Sequence, residues 1–88
     1  MKSIPVQVVS KMAIGYVLIV TAPTKEHEVY NTLSGYEEIK EIHPLFGQYD
    51  LIAKIEAKNI NMLGEIVTNK IRSIAGVVET KTLPSCKI

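Results

Sequence analysis

The sequence predicts an α+β domain in the order β-α-β-β-α-β, and three observations carry that prediction. Residues 14–21, 49–57 and 77–83 are β-branched or alternating runs with the composition of strands. Ile60, Leu63, Val67, Ile71 and Ile74 recur at steps of three and four, the spacing of one helix face. The turn Phe46-Gly47-Gln48-Tyr49-Asp50 sits between two strand-like runs and reads as a β-hairpin, because Gly47 can take the positive φ that a tight turn needs.

In chain order, residues 14–21 form the first strand, apolar on both faces, so both faces of its sheet need cover. Pro23-Thr24 breaks this strand and offers an N-cap to a short helix. Glu26 and Glu28 in its first turn complement the helix dipole, Val29 and Leu33 mark its buried face, with Tyr30 alongside, and Ser34-Gly35 ends it. The second strand, 38–46, contains Pro44, which has no N–H for a ladder and therefore predicts an edge position or a bulge. In the third strand Leu51, Ala53, Ile55 and Ala57 face one way, while Asp50, Lys54 and Glu56 face the other with Ile52 among them. Asn59 or Asn61 caps the second helix, Ala75-Gly76 closes it, and Pro84 stops the fourth strand.

The two halves echo each other. Tyr16-Val17-Leu18-Ile19 matches Tyr49-Asp50-Leu51-Ile52, and Gly35 matches Gly76. The whole is the ferredoxin-like pattern, a four-stranded antiparallel sheet with two helices on one face. Two helices shield only that face, so the other is expected to dimerise with a second subunit. Residues 1–12 are expected to be an N-terminal extension that adds an edge strand at 4–9 or an arm, 13–84 the domain, and 85–88 a tail.

At 88 residues the chain is one domain, small enough that association would add useful burial. Its single cysteine, Cys86, excludes an intrachain disulfide and reads as a reduced thiol near the C-terminus. The net charge of +1, with ten Lys and Arg scattered among nine acids, argues against a basic nucleic-acid surface. The apolar run 13–20 falls short of the about 20 residues a membrane helix needs. Pro5 and Gln7 interrupt any signal peptide, so a cytoplasmic location is expected.

His27 and His43 belong to no metal-ligand spacing, and no cofactor or metal is expected. Glu37, Glu38 and Glu41 read as a solvated acidic segment. An RNA-recognition variant of the fold would stack bases on central-strand aromatics, and Tyr16 and Tyr49 alone do not make that signature. Two groups of residues remain. Gly47, Gln48, Tyr49 and Asp50 could offer backbone N–H groups to a carboxylate and an acid to an ammonium. Thr80 and Thr82 share one face of the fourth strand, with hydroxyls able to donate or accept. The alternative is that Asp50 simply caps its turn and the threonines are ordinary strand residues.

Tyr16-Val17-Leu18-Ile19-Val20, Gly47-Gln48-Tyr49-Asp50-Leu51-Ile52 and Gly76-Val77-Val78-Glu79-Thr80-Lys81-Thr82 together resemble the effector-binding (RAM) domain of the Lrp/AsnC transcription regulators. The likeness runs from about residue 13 to 83. It implies dimers packed sheet to sheet, assembly into higher homo-oligomers, often octamers, and an amino acid effector bound between dimers. It assigns Gly47, Tyr49 and Asp50 to the hairpin bordering that cleft, Gln48 to its variable position, and Thr80 and Thr82 to the threonines of the last strand. Phe46 stands where the family usually has a small polar residue. About a dozen residues precede the first strand, so a stand-alone module without the family's helix-turn-helix domain is expected. Such a module would be non-enzymatic, would bind an amino acid and would modulate transcription through full-length Lrp/AsnC partners. It would contact neither nucleic acid nor membrane directly. The alternatives are a structural assembly protein with no effector, Phe46 filling the cleft, and a small dimeric ferredoxin-like enzyme using His43.

Overall fold

In the computed structural model, which describes residues 12–85, the chain runs β1 (Ala13–Thr21), α1 (Glu26–Ser34), β2 (Ile39–Pro44), β3 (Leu51–Ala57), α2 (Ile60–Glu65) and β4 (Val77–Pro84). A π-helical segment, Ile66–Ile71, continues α2 without a break. The strands form one antiparallel sheet in the order β2-β3-β1-β4, which is the ferredoxin-like arrangement. The strand expected at 4–9 and the thiol of Cys86 lie outside the described residues.

The alternation of β1 and β3 decides which face the helices cover. Val17, Ile19, Leu51, Ala53 and Ile55 are buried beneath them, against Val29 and Leu33 of α1 and Leu63, Val67 and Ile71 of the second helical stretch. Each large side chain buried this way contributes about 1.5–3 kcal/mol. On the opposite face Tyr16 lies between Lys54 and Leu83, and Leu18 between Ile52 and Lys81. Tyr16 is 38% exposed and Leu83 is 44% exposed, so an apolar patch crosses the centre of the open face. Glu41 of the edge strand pairs there with Lys54 at 3.8 Å and with His43 at 3.3 Å.

Pro44 ends β2, which is an edge strand and also shifts register between Ile39 and Glu41. The edge position expected from that proline is met, while the register shift lies at the other end of the strand. The strand is shorter than the predicted 38–46, because Leu45 and Phe46 already belong to the turn.

Two expectations about the helices need correction. Thr24 does not cap α1: it has a φ of 67° in the tight turn closed by the bond from Lys25 N–H to the Ala22 carbonyl (3.0 Å), and Lys25 occupies the cap position with no side-chain bond. The Glu26 and Glu28 carboxylates in the first turn are left to balance the dipole. The stripe at 60–74 is not one regular helix either. Asn59 caps it as expected, accepting from Met62 N–H at 2.8 Å, but from Ile66 onward the turns widen, and Arg72 N–H bonds to the Val67 carbonyl five residues back at 2.9 Å. Ile66 joins Val67 at the edge of the core, while Ile60, expected on the buried stripe, is 55% exposed.

The π segment is tied to the α1–β2 connection. Lys70 Nζ lies 2.8 Å from Glu38 Oε2 and 5.2 Å from the centre of the Tyr36 ring. The hydrogen bond from Lys70, helped by a backbone N–H, holds the Glu38 carboxyl below the usual carboxylate range, and the same bond raises Lys70. A carboxylate whose folded pKa is depressed stabilises the protein above its unfolded pKa, and that contribution is lost as pH falls through the folded value. Stability of the wild type should therefore decline with acid over that range more steeply than that of Glu38→Gln. Denaturant midpoints measured from neutral pH downward check this, and parallel curves would contradict it.

Two glycines are required by backbone shape, for different reasons. Gly47 (φ 106°) has open space where a Cβ would stand, whereas at Gly76 (φ 102°) a Cβ would come within 3.0 Å of Lys25 Cβ and 3.1 Å of Val29 Cγ2. Gly47→Ala should cost about 1–2 kcal/mol for the left-handed backbone. Gly76→Ala should add about 1–3 kcal/mol of overpacking to that. Equilibrium denaturation of the two variants should rank them in that order.

Candidate functional site

The hairpin expected from Gly47 is present. Leu45 N–H bonds to the Asp50 carbonyl at 2.9 Å, closing the turn, and Asp50 N–H bonds to the Ile19 carbonyl at 2.8 Å. The Asp50 carboxylate turns toward the end of β1. Its Oδ2 accepts from Thr21 N–H at 2.8 Å and from Thr21 Oγ1 at 3.2 Å, so it closes the end of β1 where β4 falls out of register. Within the protomer Asp50 thus ties the hairpin to the end of β1, rather than capping its own turn. Gly47 and Gln48 are exposed and Tyr49 is half-buried. Phe46 is fully exposed at the tip, so it fills no cleft within the protomer.

Thr80 and Thr82 do share a face. They stand opposite Ile19 and Val17, on the helix side of β4. Leu51, Ile19 and Thr80 form one row across three strands, which puts β4 about 10 Å from β3. The buried side chains of Leu51 and Ile19 fill the space between. The hairpin and the two threonines are thus at similar height on the sheet but do not line one cavity within a protomer.

The threonines instead line a cleft of about 350 Å³ between β4 and the second helical stretch. Ile60, Leu63, Val67 and Pro84 supply its apolar wall, and Thr68 and Arg72 join Thr80 and Thr82 as its polar groups. Thr68 and Arg72 do not stand out in the sequence, where the apolar stripe dominates. The signal was there: Ile60, Gly64, Thr68 and Arg72 recur every four residues, beside the buried row. Four residues overshoot an α turn of 3.6, so such a row normally drifts around a helix. The wider π turns cancel that drift and keep all four positions facing β4. A π-helical insertion is often found where a helix serves a functional site.

A second hollow of about 340 Å³ lies at the base of the hairpin, between α1 (Glu26, His27, Tyr30, Asn31) and the strand ends at Pro44 and Leu51. Among the described residues no group of three or more His, Cys, Asp or Glu could hold a metal ion, and no helix is long and apolar enough to cross a membrane.

The sheet thus has one face under helices, an opposite face crossed by an apolar band, and a polar-walled cleft beside its edge strand β4. The chain belongs to the Lrp/AsnC family: residues 15–88 match the Lrp/AsnC ligand binding domain. It is 37% identical over 81 residues to the transcriptional regulator FL11 of Pyrococcus abyssi, covering 86% of this chain and 53% of that protein. It is also similar to the crystal structure of FFRP-DM1, at 35% identity and a TM-score of 0.82, over 84% of this chain and 99% of that one. The AsnC protein of E. coli shares the fold at 20% identity, with a TM-score of 0.83 over 100% of this chain and 59% of its own. The chain spans from 40% to 56% of the length of the transcriptional regulators it matches. One further relative is an enzyme, the homocitrate synthase of Sulfurisphaera tokodaii, 40% identical over 62 residues that make up 13% of that protein.

The inward carboxylate makes a prediction about stability. Asp50→Ala leaves the buried Thr21 without its acceptor and should cost about 1.5–3 kcal/mol. Tyr49→Ala, on a half-buried side chain, should cost less. Thermal and denaturant unfolding of the two variants check the order.

Proposed function

We propose that this chain is a non-enzymatic, amino-acid-responsive oligomerising module that modulates transcription through partner regulators rather than by direct contact with DNA. The observation that carries the reading is the apolar band of Tyr16, Leu18, Ile52 and Leu83 across the open face of an Lrp/AsnC ligand-binding domain. A band of this kind on a small domain calls for a second copy or a partner of the same shape. Sheet-to-sheet dimers, and higher rings such as octamers, would then bring hairpins and clefts of neighbouring protomers together. Gly47, Gln48, Tyr49 and Asp50 of one protomer would face Thr80 and Thr82 of another, so that groups separated within one protomer meet between two. An effector bound at that junction would shift assembly by its preference for one state. A regulator of the same fold from Neisseria meningitidis was solved as a complex with L-Met, which supports an amino acid as the class of ligand. The even charge balance, +1 over the chain, supports action through proteins rather than on DNA.

The match to part of a homocitrate synthase favours a second reading, in which the module responds to its ligand on behalf of an enzyme. Affinity capture from native lysate separates the two, by recovery of Lrp/AsnC regulators or of a metabolic enzyme.

Calorimetric titration with each of the twenty amino acids, with mass followed by light scattering, is the test of sensing. At least one should bind and change the assembly. Binding by none would remove the amino-acid part of the proposal.

A further inference from the structure

The cleft between β4 and the second helical stretch has a composition that selects among ligands. Its polar side carries one cation, Arg72, and the hydroxyl residues Thr68, Thr80 and Thr82; its apolar side includes Ile60 and Val67. Arg72 has no ion-pair partner among the described residues. An exposed arginine on the wall of a half-apolar cleft that also presents threonines is suited to a carboxylate, which its guanidinium can grip through two parallel N–H bonds. The lining holds no acid. Within the protomer Asp50, the acid of the hairpin motif, accepts from Thr21 through Oδ2 and stands across the sheet from the cleft, beyond Ile19 and Leu51.

We propose that this cleft binds a small monocarboxylate with an apolar side chain, that Arg72 holds the carboxylate, and that binding follows the carboxylate rather than an α-ammonium. The π segment is part of the device, because its final bond, from Arg72 N–H to the Val67 carbonyl, turns Arg72 into the row formed by Ile60, Gly64 and Thr68. The volume of about 350 Å³ is at the small end of ligand pockets, which suits a leucine-sized molecule. An amino acid and its 2-oxo acid share the carboxylate and the tail. The oxo acid brings no ammonium to be placed beside Arg72 without a counter-charge, so it should bind at least as tightly. The proposal deepens the ligand-sensing reading and rests on it only for the consequence of binding, not for the site.

The test titrates the full chain with 4-methyl-2-oxopentanoate, L-leucine, L-leucinamide and 3-methylbutan-1-ol, by calorimetry and by amide shifts in NMR spectra. The oxo acid should bind and move the amides of Gly64, Thr68, Thr80 and Thr82, while leucinamide and the alcohol, which lack the carboxylate, should not bind in the same range. Arg72→Gln should weaken the oxo acid roughly tenfold or more, with Arg72→Lys between it and the wild type. Thr80→Val tests the hydroxyl wall independently and should weaken binding by a smaller factor. Failure of the oxo acid to bind, equal binding by leucinamide, or unchanged affinity in Arg72→Gln would overturn the proposal. The two readings fail separately. Amino-acid binding that survives Arg72→Gln but is lost in Tyr49→Ala would keep sensing and remove this site. Oxo-acid binding that needs Arg72, with no amino acid altering the assembly, would keep the site and remove amino-acid sensing.

Discussion

The structure depends on the two-residue alternation of β1 and β3. These are the central strands, and every second residue of each, from Val17 and Ile19 to Leu51 and Ile55, lies under the helices with almost no exposure. The intervening residues are fixed on the other side by the same geometry, since successive side chains of a strand point to opposite faces. A register slip of one residue would move Tyr16, Leu18 and Ile52 under the helices and bring Lys54 and Glu56 with them. The buried face and the open apolar band are therefore two results of one constraint. A domain of 88 residues has little core to spare, and leaving this band open makes association its natural source of further burial.

The second helical stretch shows how packing overrides a local pattern. A regular α-helix from Ile60 onward would keep Ile60, Leu63, Val67, Ile71 and Ile74 on one face. The chain keeps Leu63, Val67 and Ile71 buried and Ile74 against the core, but leaves Ile60 exposed, adds Ile66 to the core edge and widens its turns from Ile66 onward. The change brings Lys70 against Glu38 and Tyr36 and lines up Thr68 and Arg72 with β4.

Asp50 illustrates the other way a motif can be read. The hairpin of Gly47 to Asp50 was legible because a glycine between two alternating runs has few other uses. The destination of the carboxylate was not legible. Thr21 is 29 residues away in sequence, and it becomes a neighbour only because β3 pairs with β1 in this register. The same holds for Thr80 and Thr82. Their shared face follows from a spacing of two, but the helix that walls them, and the presence of Arg72, follow from how α2 crosses the sheet.

By itself the sequence determined the element order, the glycine turn, an edge position or bulge at Pro44, a cap at Asn59 or Asn61 and the face of β3. All of these are local, written in period, composition and backbone permissiveness. Only the tertiary structure decided that Asp50 closes β1, that Thr24 lies in a left-handed turn instead of capping α1, and that Arg72 joins the threonines in one cleft. Those outcomes depend on contacts between segments far apart in the chain, and on a helical irregularity that packing against the sheet selects over the regular α-helical repeat.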